Sequence, residues 1–188
     1  MRNIAIFASG SGTNAENFAR YFAHDDAVRI SLVLSNRAAA GVHDRMKAFG
    51  IPSMTFSNES FQKGEEILKV LEEYHIDYIV LAGFMNKISE PLLKVFPDRI
   101  VNIHPALLPK FGGRGMYGMH VHEAVVAAKE KETGITIHYI NEHYDEGTII
   151  FQATCQVTPE DDAESVAQKV HALEYEYYPQ VVRKLLVR

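Results

Sequence analysis

Short apolar runs alternate along this chain with stretches whose apolar positions recur every three or four residues, a pattern that predicts strands separated by helices. Asn3 to Ala8 reads as a buried first strand, followed by a turn of small residues, Ser9-Gly10-Ser11-Gly12-Thr13-Asn14. A helix comes next, with Ala15, Phe18, Ala19 and Phe22 at the i, i+3, i+4 and i+7 positions of one face. Val28 to Leu34 is a second strand, Gly41 to Phe49 a helix, and Ser53 to Phe56 a short third strand. Glu65 to Tyr74 is a helix whose apolar face carries Ile67, Leu71 and Tyr74. Tyr78 to Ala82 is a strand broken by Gly83, and Pro91 to Val95 is a short helix with proline in its first turn. Ile100 to His104 is the fifth strand. After a glycine-rich loop, Val121 to Lys129 is helical, and Ile135 to Ile140 and Thr148 to Val157 are the last strands. From Asp161 onward the chain reads as one long helix, acidic at its start and basic at its end, as the helix dipole favours. Pro179 is expected to kink or split that helix.

The order of elements implies an α/β fold. The expected architecture is a Rossmann-like, mostly parallel sheet with helices on both faces, an antiparallel strand near the C-terminal end, and a long C-terminal helix. At 188 residues the chain is expected to be a single domain, 1–188. A net charge of −5 with no basic stripe argues against a nucleic-acid surface, but a local loop can still take a phosphate through backbone N–H groups. Cys155 is the only cysteine, so there is no internal disulfide and the composition suits a reducing cytoplasm. No apolar run approaches the ~18 residues of a membrane span, and Ile4 to Ala8 is too short for a signal-peptide core.

Three places carry candidate chemistry. In Asn102-Ile103-His104-Pro105, Asn102 and His104 are two apart on an extended backbone and point to the same side. They sit at the carboxyl end of a strand, where open α/β sheets bind ligands. Asp145-Glu146-Gly147 follows the strand-like run Ile135 to Ile140. An amide, an imidazole and a carboxylate suit a reaction in which charge builds on a carbonyl oxygen while a proton moves. The Ser9 to Asn14 turn stands between a first strand and a first helix, the position of a phosphate cradle. It is neither G-x-G-x-x-G, since Ala15 stands at the third glycine's position, nor a Walker loop. Its plain alternative is a tight turn and a capped helix. The loop Lys110 to Gly118, with four glycines, reads either as a mobile surface loop or as a lid. His120-x-His122, His138 and His143 are a weak metal signal without a carboxylate or cysteine partner at known spacing, and no metal is expected. Cys155 lies inside a strand and reads as packing.

Asn102-Ile-His-Pro-Ala-Leu-Leu-Pro109 resembles the hallmark of the formyltransferase superfamily that uses 10-formyltetrahydrofolate. Gly134-Ile-Thr-Ile-His-Tyr139 with Asp145-Glu-Gly147 is similar to that family's second signature, and Leu81-Ala-Gly-Phe-Met85 to a third. The Ser9 to Asn14 loop is similar to that of the members that formylate glycinamide ribonucleotide in purine synthesis. Relatives acting on methionyl-tRNA carry an extra C-terminal domain, and formyltetrahydrofolate hydrolases an N-terminal regulatory one. Neither is expected in this chain.

The resemblance implies catalytic roles for Asn102, His104 and Asp145. It implies that Gly12, Thr13, Asn14 and Glu174 hold the ribonucleotide. It implies a folate pocket lined by Met85, Asn86, Lys87, Ile88, Asn102, Asn141, Glu142, His143, Tyr144 and Asp145. Asn86-Lys87 stand where the family often has arginine. The expected partners are small molecules only, with no nucleic acid or membrane, in a monomer or homodimer. The implied mechanism is direct attack of the amine on the formyl carbon, with Asn102 and His104 donating to the developing oxyanion and Asp145 assisting. A hydrolase on the same scaffold and a non-catalytic binding module are the competing readings.

Overall fold

The computed structural model describes residues 1–187. The chain divides into two compact units, one comprising Met1–Val101 and the residues from Val182 onward, the other Asn102–Val181. The strand order is β3-β2-β1-β4-β5-β6-β7, and the chain passes from the first unit to the second within β5 (Ile100–His104).

The first unit is built on β1 (Arg2–Phe7), β2 (Val28–Ser35), β3 (Ser53–Thr55) and β4 (Tyr78–Leu81). β1 pairs in parallel with β2 and β4, and β2 with β3. Ile4, Ile6, Leu32, Leu34 and Ile79 are fully buried, which is why these strands read as continuous apolar runs rather than alternating ones. Around them run α1 (Thr13–Tyr21), α2 (Val42–Ala48), α3 (Asn58–Lys63), α4 (Glu65–Glu73) and α5 (Glu90–Val95). Phe7, Phe61 and Phe84 form an aromatic cluster, with ring centroids 4.9–5.5 Å apart.

The short α3 is absent from the sequence expectation, because Phe61 is the only large apolar residue it buries. Local chemistry builds it instead. The Ser57 side chain accepts from the Ser60 N–H at 3.0 Å, and Gly64, at φ 80°, ends α3 and begins α4.

The second unit holds the end of β5, then α6 (Met119–Ala127), β6 (Glu132–Tyr139), β7 (Ile149–Gln156) and most of α7 (Ala163–Leu186). β6 and β7 are antiparallel, as expected of two strands with no helix between them. β6 starts at Glu132, earlier than the expected Ile135, because Gly134 is part of the ladder and does not break it. It lies opposite Thr154, and a Cβ there would come within 1.8 Å of the Ala153 carbonyl oxygen. α6 likewise begins at Met119, two positions before the expected Val121.

α7 starts at Ala163 rather than Asp161. Asp162 accepts from the Ser165 N–H at 2.8 Å while the Ser165 hydroxyl accepts from the Asp162 N–H at 3.1 Å, a reciprocal cap. The helix is continuous through Pro179, so of the expected kink or split the split does not occur. Tyr178 is fully enclosed and Val181 is buried, so packing on either side outweighs the one backbone donor that proline removes.

Candidate active site

Four polar side chains meet in the second unit. β5 delivers Asn102 and His104, and β6 delivers His138. The loop after β6 delivers Asp145, whose backbone takes the left-handed conformation at φ 56°, a region that aspartate tolerates better than most residues. Asn102 Nδ2 donates to His138 Nε2 at 3.2 Å. His138 Nδ1–H in turn donates to the Tyr139 carbonyl at 2.9 Å, so the ring is the neutral Nδ1–H tautomer. His138 is fully buried, and burial pushes its imidazole below the usual histidine range, more strongly than the Tyr139 carbonyl and the Asp145 charge pull it up. An amide nitrogen carries two hydrogens, and the bond to His138 uses one of them.

His104 is only 3% exposed. Its Nε2–H donates to the Phe111 carbonyl at 2.7 Å, and its Nδ1 stands 3.7 Å from Asp145 Oδ2. Asp145 Oδ1 is likewise 3.7 Å from His138 Nε2, and Oδ2 accepts from the Gly113 N–H at 2.9 Å. The carboxylate thus faces both imidazoles and anchors the glycine-rich loop. A Cβ at Gly112 would sit 2.5 Å from a Leu108 methyl and 3.4 Å from Asp145 Cβ, so the loop packs closely on both at this glycine.

Thr136 holds the turn that follows His104. Its hydroxyl donates to the Ala106 carbonyl at 2.7 Å and accepts from the Leu108 N–H at 3.0 Å and the Gln152 amide at 2.9 Å.

In the sequence His138 stands out only as a weak metal candidate and as part of the Gly134–Tyr139 motif, not as a partner of Asn102. The signal was present in Thr136-Ile137-His138, which sets two polar residues on one face of a strand between buried isoleucines.

The remaining candidate residues of the second unit lie on the loop 141–145 and on α7. Asn141, Glu142, His143 and Tyr144 are exposed, and Asn141 Oδ1 accepts from the His143 N–H at 2.9 Å. Glu174 is 5% exposed and lies 3.1 Å from His171 Nδ1.

In the first unit, Gly12 takes the left-handed conformation at φ 78° and begins α1, with no side chain capping the helix. A Cβ on Gly12 would come within 2.6 Å of the Val42 backbone. Met85 is exposed and Ile88 buried, and the Met85 N–H is held by the Ser9 hydroxyl at 3.0 Å. Asn86 Nδ2 donates to Asn58 Oδ1 at 2.7 Å, as does Asn36 Nδ2 at 2.9 Å. Among the described residues, no group of three or more His, Cys, Asp or Glu side chains is arranged to hold a metal ion. Nor is any helix long and apolar enough to cross a membrane.

The buried histidines make stability depend on pH. His122 is also pushed below the ordinary histidine value, by burial and by the neighbouring His171, while His171 is raised by its bond to Glu174. His138 and His122 take up protons less readily in the fold than once unfolded. Their contribution is therefore complete above the ordinary histidine value near 6.5 and is lost as pH falls below it. His171 works in the opposite direction, its contribution being complete below that value and lost as pH rises through its raised folded value. Urea unfolding at pH 7.0, 6.0 and 5.5 should show stability falling toward acid by up to about 1.4 kcal/mol per pH unit for each neutral histidine. His138→Asn should flatten this slope. An unchanged slope in that variant would contradict the assignment.

The strand order, with its antiparallel β6–β7 pair, is that of a Rossmann-like fold. The formyl transferase family matches residues 2–182, and the chain belongs to it. Its named relatives are more specific. It is 34% identical to the phosphoribosylglycinamide formyltransferase of Bacillus subtilis (strain 168), over 99% of this chain and 95% of that protein. It is 36% identical to the chloroplastic phosphoribosylglycinamide formyltransferase of Arabidopsis thaliana, over 96% of this chain but 64% of that longer protein. The crystal structure of phosphoribosylglycinamide formyltransferase from Bacillus halodurans superposes with a TM-score of 0.88 at 38% identity, covering 98% of this chain and 95% of that one.

Proposed function

We propose that this chain transfers the formyl group of 10-formyltetrahydrofolate to the amine of glycinamide ribonucleotide, a step of de novo purine biosynthesis. The observation that carries the reading is the convergence of Asn102, His104, His138 and Asp145 in a member of the formyl transferase family. The match across residues 2–182 supports treating the chain as one formyltransferase domain.

The neutral amine attacks the formyl carbon, and the carbonyl oxygen gains negative charge as the tetrahedral intermediate forms. The Asn102 hydrogen not used by His138 donates to that oxygen. His138 keeps the amide in the orientation that leaves this hydrogen available, because its neutral Nε2 accepts and does not donate. The His104 Nε2–H joins it when the formyl oxygen takes the place of the Phe111 carbonyl, a shift that Gly112 and Gly113 make easy for the loop. Asp145, 3.7 Å from the His104 ring, balances the ring's positive charge during transfer. It also passes a proton from the attacking amine toward the departing N10. The Gly12 to Asn14 start of α1 is the proposed phosphate cradle. Asn141 to Asp145, beside the catalytic trio, are the proposed folate contacts. The scheme needs no metal and no covalent bond to the protein.

The test mixes the protein with 10-formyltetrahydrofolate, with and without glycinamide ribonucleotide, and follows folate absorbance. Turnover that requires the ribonucleotide is the expected result. Turnover without it would make the chain a hydrolase, and saturable folate binding without turnover would make it a binding module.

A further inference from the structure

Arg45 of α2 lies outside every motif of the sequence, yet it reaches the Ser9 to Asn14 loop. Its Nε donates to the Ser11 carbonyl oxygen at 2.8 Å. A terminal nitrogen of the same guanidinium pairs with Glu16, in the first turn of α1, and the other Glu16 oxygen is held by Arg20 at 2.7 Å. The start of α2 also packs on the loop. The Val42 N–H bonds the Gly10 carbonyl at 3.3 Å, and the Gly12 φ of 78° has no room for a side chain against Val42. The arginine side chain is 38% exposed and that of Glu16 20%, so neither is there to fill a core.

The chemistry of the peptide group gives this contact a consequence. Across a planar trans peptide the carbonyl and the following N–H point in opposite directions. Fixing the Ser11 oxygen on Arg45 therefore fixes the Gly12 N–H on the side of the peptide away from Arg45. That N–H belongs to the residue that starts α1, where backbone donors and the helix dipole favour an anion.

We propose that Arg45, braced by Glu16, is a positioning residue for substrate phosphate: it orients the Ser11–Gly12 peptide so that the loop's N–H donors are set before the ligand arrives. This rests on the phosphate-loop reading given under Proposed function. Arg45 touches neither substrate and acts through the backbone, so its effect belongs in the affinity for one substrate alone.

The test is steady-state kinetics on the intact protein. Arg45→Ala is expected to raise KM for glycinamide ribonucleotide about tenfold, with KM for 10-formyltetrahydrofolate and kcat close to wild type. An unselective rise of both KM values, or a large fall in Tm, would make the role merely structural and overturn the proposal. Glu16→Gln separates positioning from simple attraction by the arginine charge. Positioning predicts a higher KM for the ribonucleotide, because the guanidinium loses its brace. Attraction predicts a lower one, because a negative charge near the phosphate is gone. Gly12→Ala distinguishes the proposal from its premise. If Gly12→Ala raises that KM and Arg45→Ala does not, the role of Arg45 is wrong and the loop stands. If neither variant moves it, the phosphate-loop reading fails as well.

Discussion

Replacing His104 with alanine is expected to lower kcat by about 10²–10³-fold, with KM for both substrates changed far less. The size follows from what one preorganised donor contributes when charge develops on an oxygen in a water-excluded site, about 2.7–4 kcal/mol of barrier. His104 is 3% exposed and bonded at Nε2, so its proton is already oriented. Asp145 Oδ2 stands 3.7 Å from His104 Nδ1. Because the oxygen is more negative in the transition state than in the substrate, the loss falls on kcat. Asn102→Ala should behave alike, and the double variant should cost less than the sum because both donors serve one oxygen. The alanine also leaves the partly buried Phe111 carbonyl without its His104 donor, so Tm must be measured beside the rates. A kcat within tenfold of wild type in a folded His104→Ala protein would remove His104 from the chemistry.

The second large effect is expected at a residue with no functional group. A Cβ on Gly147 would lie 1.7 Å from the Tyr139 carbonyl oxygen and 2.7 Å from its carbon, both backbone atoms that no side-chain rotation can clear. The clash falls beside the Tyr139 N–H to Thr148 carbonyl bond of 3.0 Å that closes the loop carrying Asp145. Gly147→Ala therefore has to part the Tyr139 and Thr148 segments. Overpacking of this kind costs roughly 1–3 kcal/mol in ordinary cores, and a backbone obstacle places this case at the upper end. Because Tyr139 O is also the acceptor for His138, the same displacement loosens the Asn102 amide and moves Asp145. Urea unfolding should show the lost stability, and kcat should fall with it. A variant of wild-type stability and rate would mean that the two segments do not approach as closely as described.

The elements legible in the sequence are those whose burial is written as periodicity. The apolar run of β1 and the Ala15, Phe18, Ala19 stripe of α1 each belong to one unbroken pattern of buried positions. α3 was illegible because two caps and a single phenylalanine make it a helix. Pro179 leaves α7 unsplit: its local cost is visible in the sequence, whereas the burial of Tyr178 beside it is not. In the site, the positions of Asn102 and His104 follow from a strand of period two. The His138 bond to Asn102 joins β5 to β6 at a register that only the assembled sheet defines, and Arg45 reaches Ser11 across 34 residues of chain.

The ion pair between Asp25 and Arg183 bears on how the protein is made. Arg183 Nε donates to Asp25 Oδ2 at 2.5 Å, across 158 positions of sequence, and this contact and the Ala27 and Val28 N–H groups hold the Asp25 carboxyl below the usual carboxylate range. The strands β1 to β4 leave the ribosome long before the end of α7 does. At roughly 5–20 residues per second, Asp25 waits on the order of 10–30 s for its arginine. During that interval the nascent first unit lacks Val182 and Leu186, both buried in the finished fold. The first unit is therefore complete only once the end of α7 has been made.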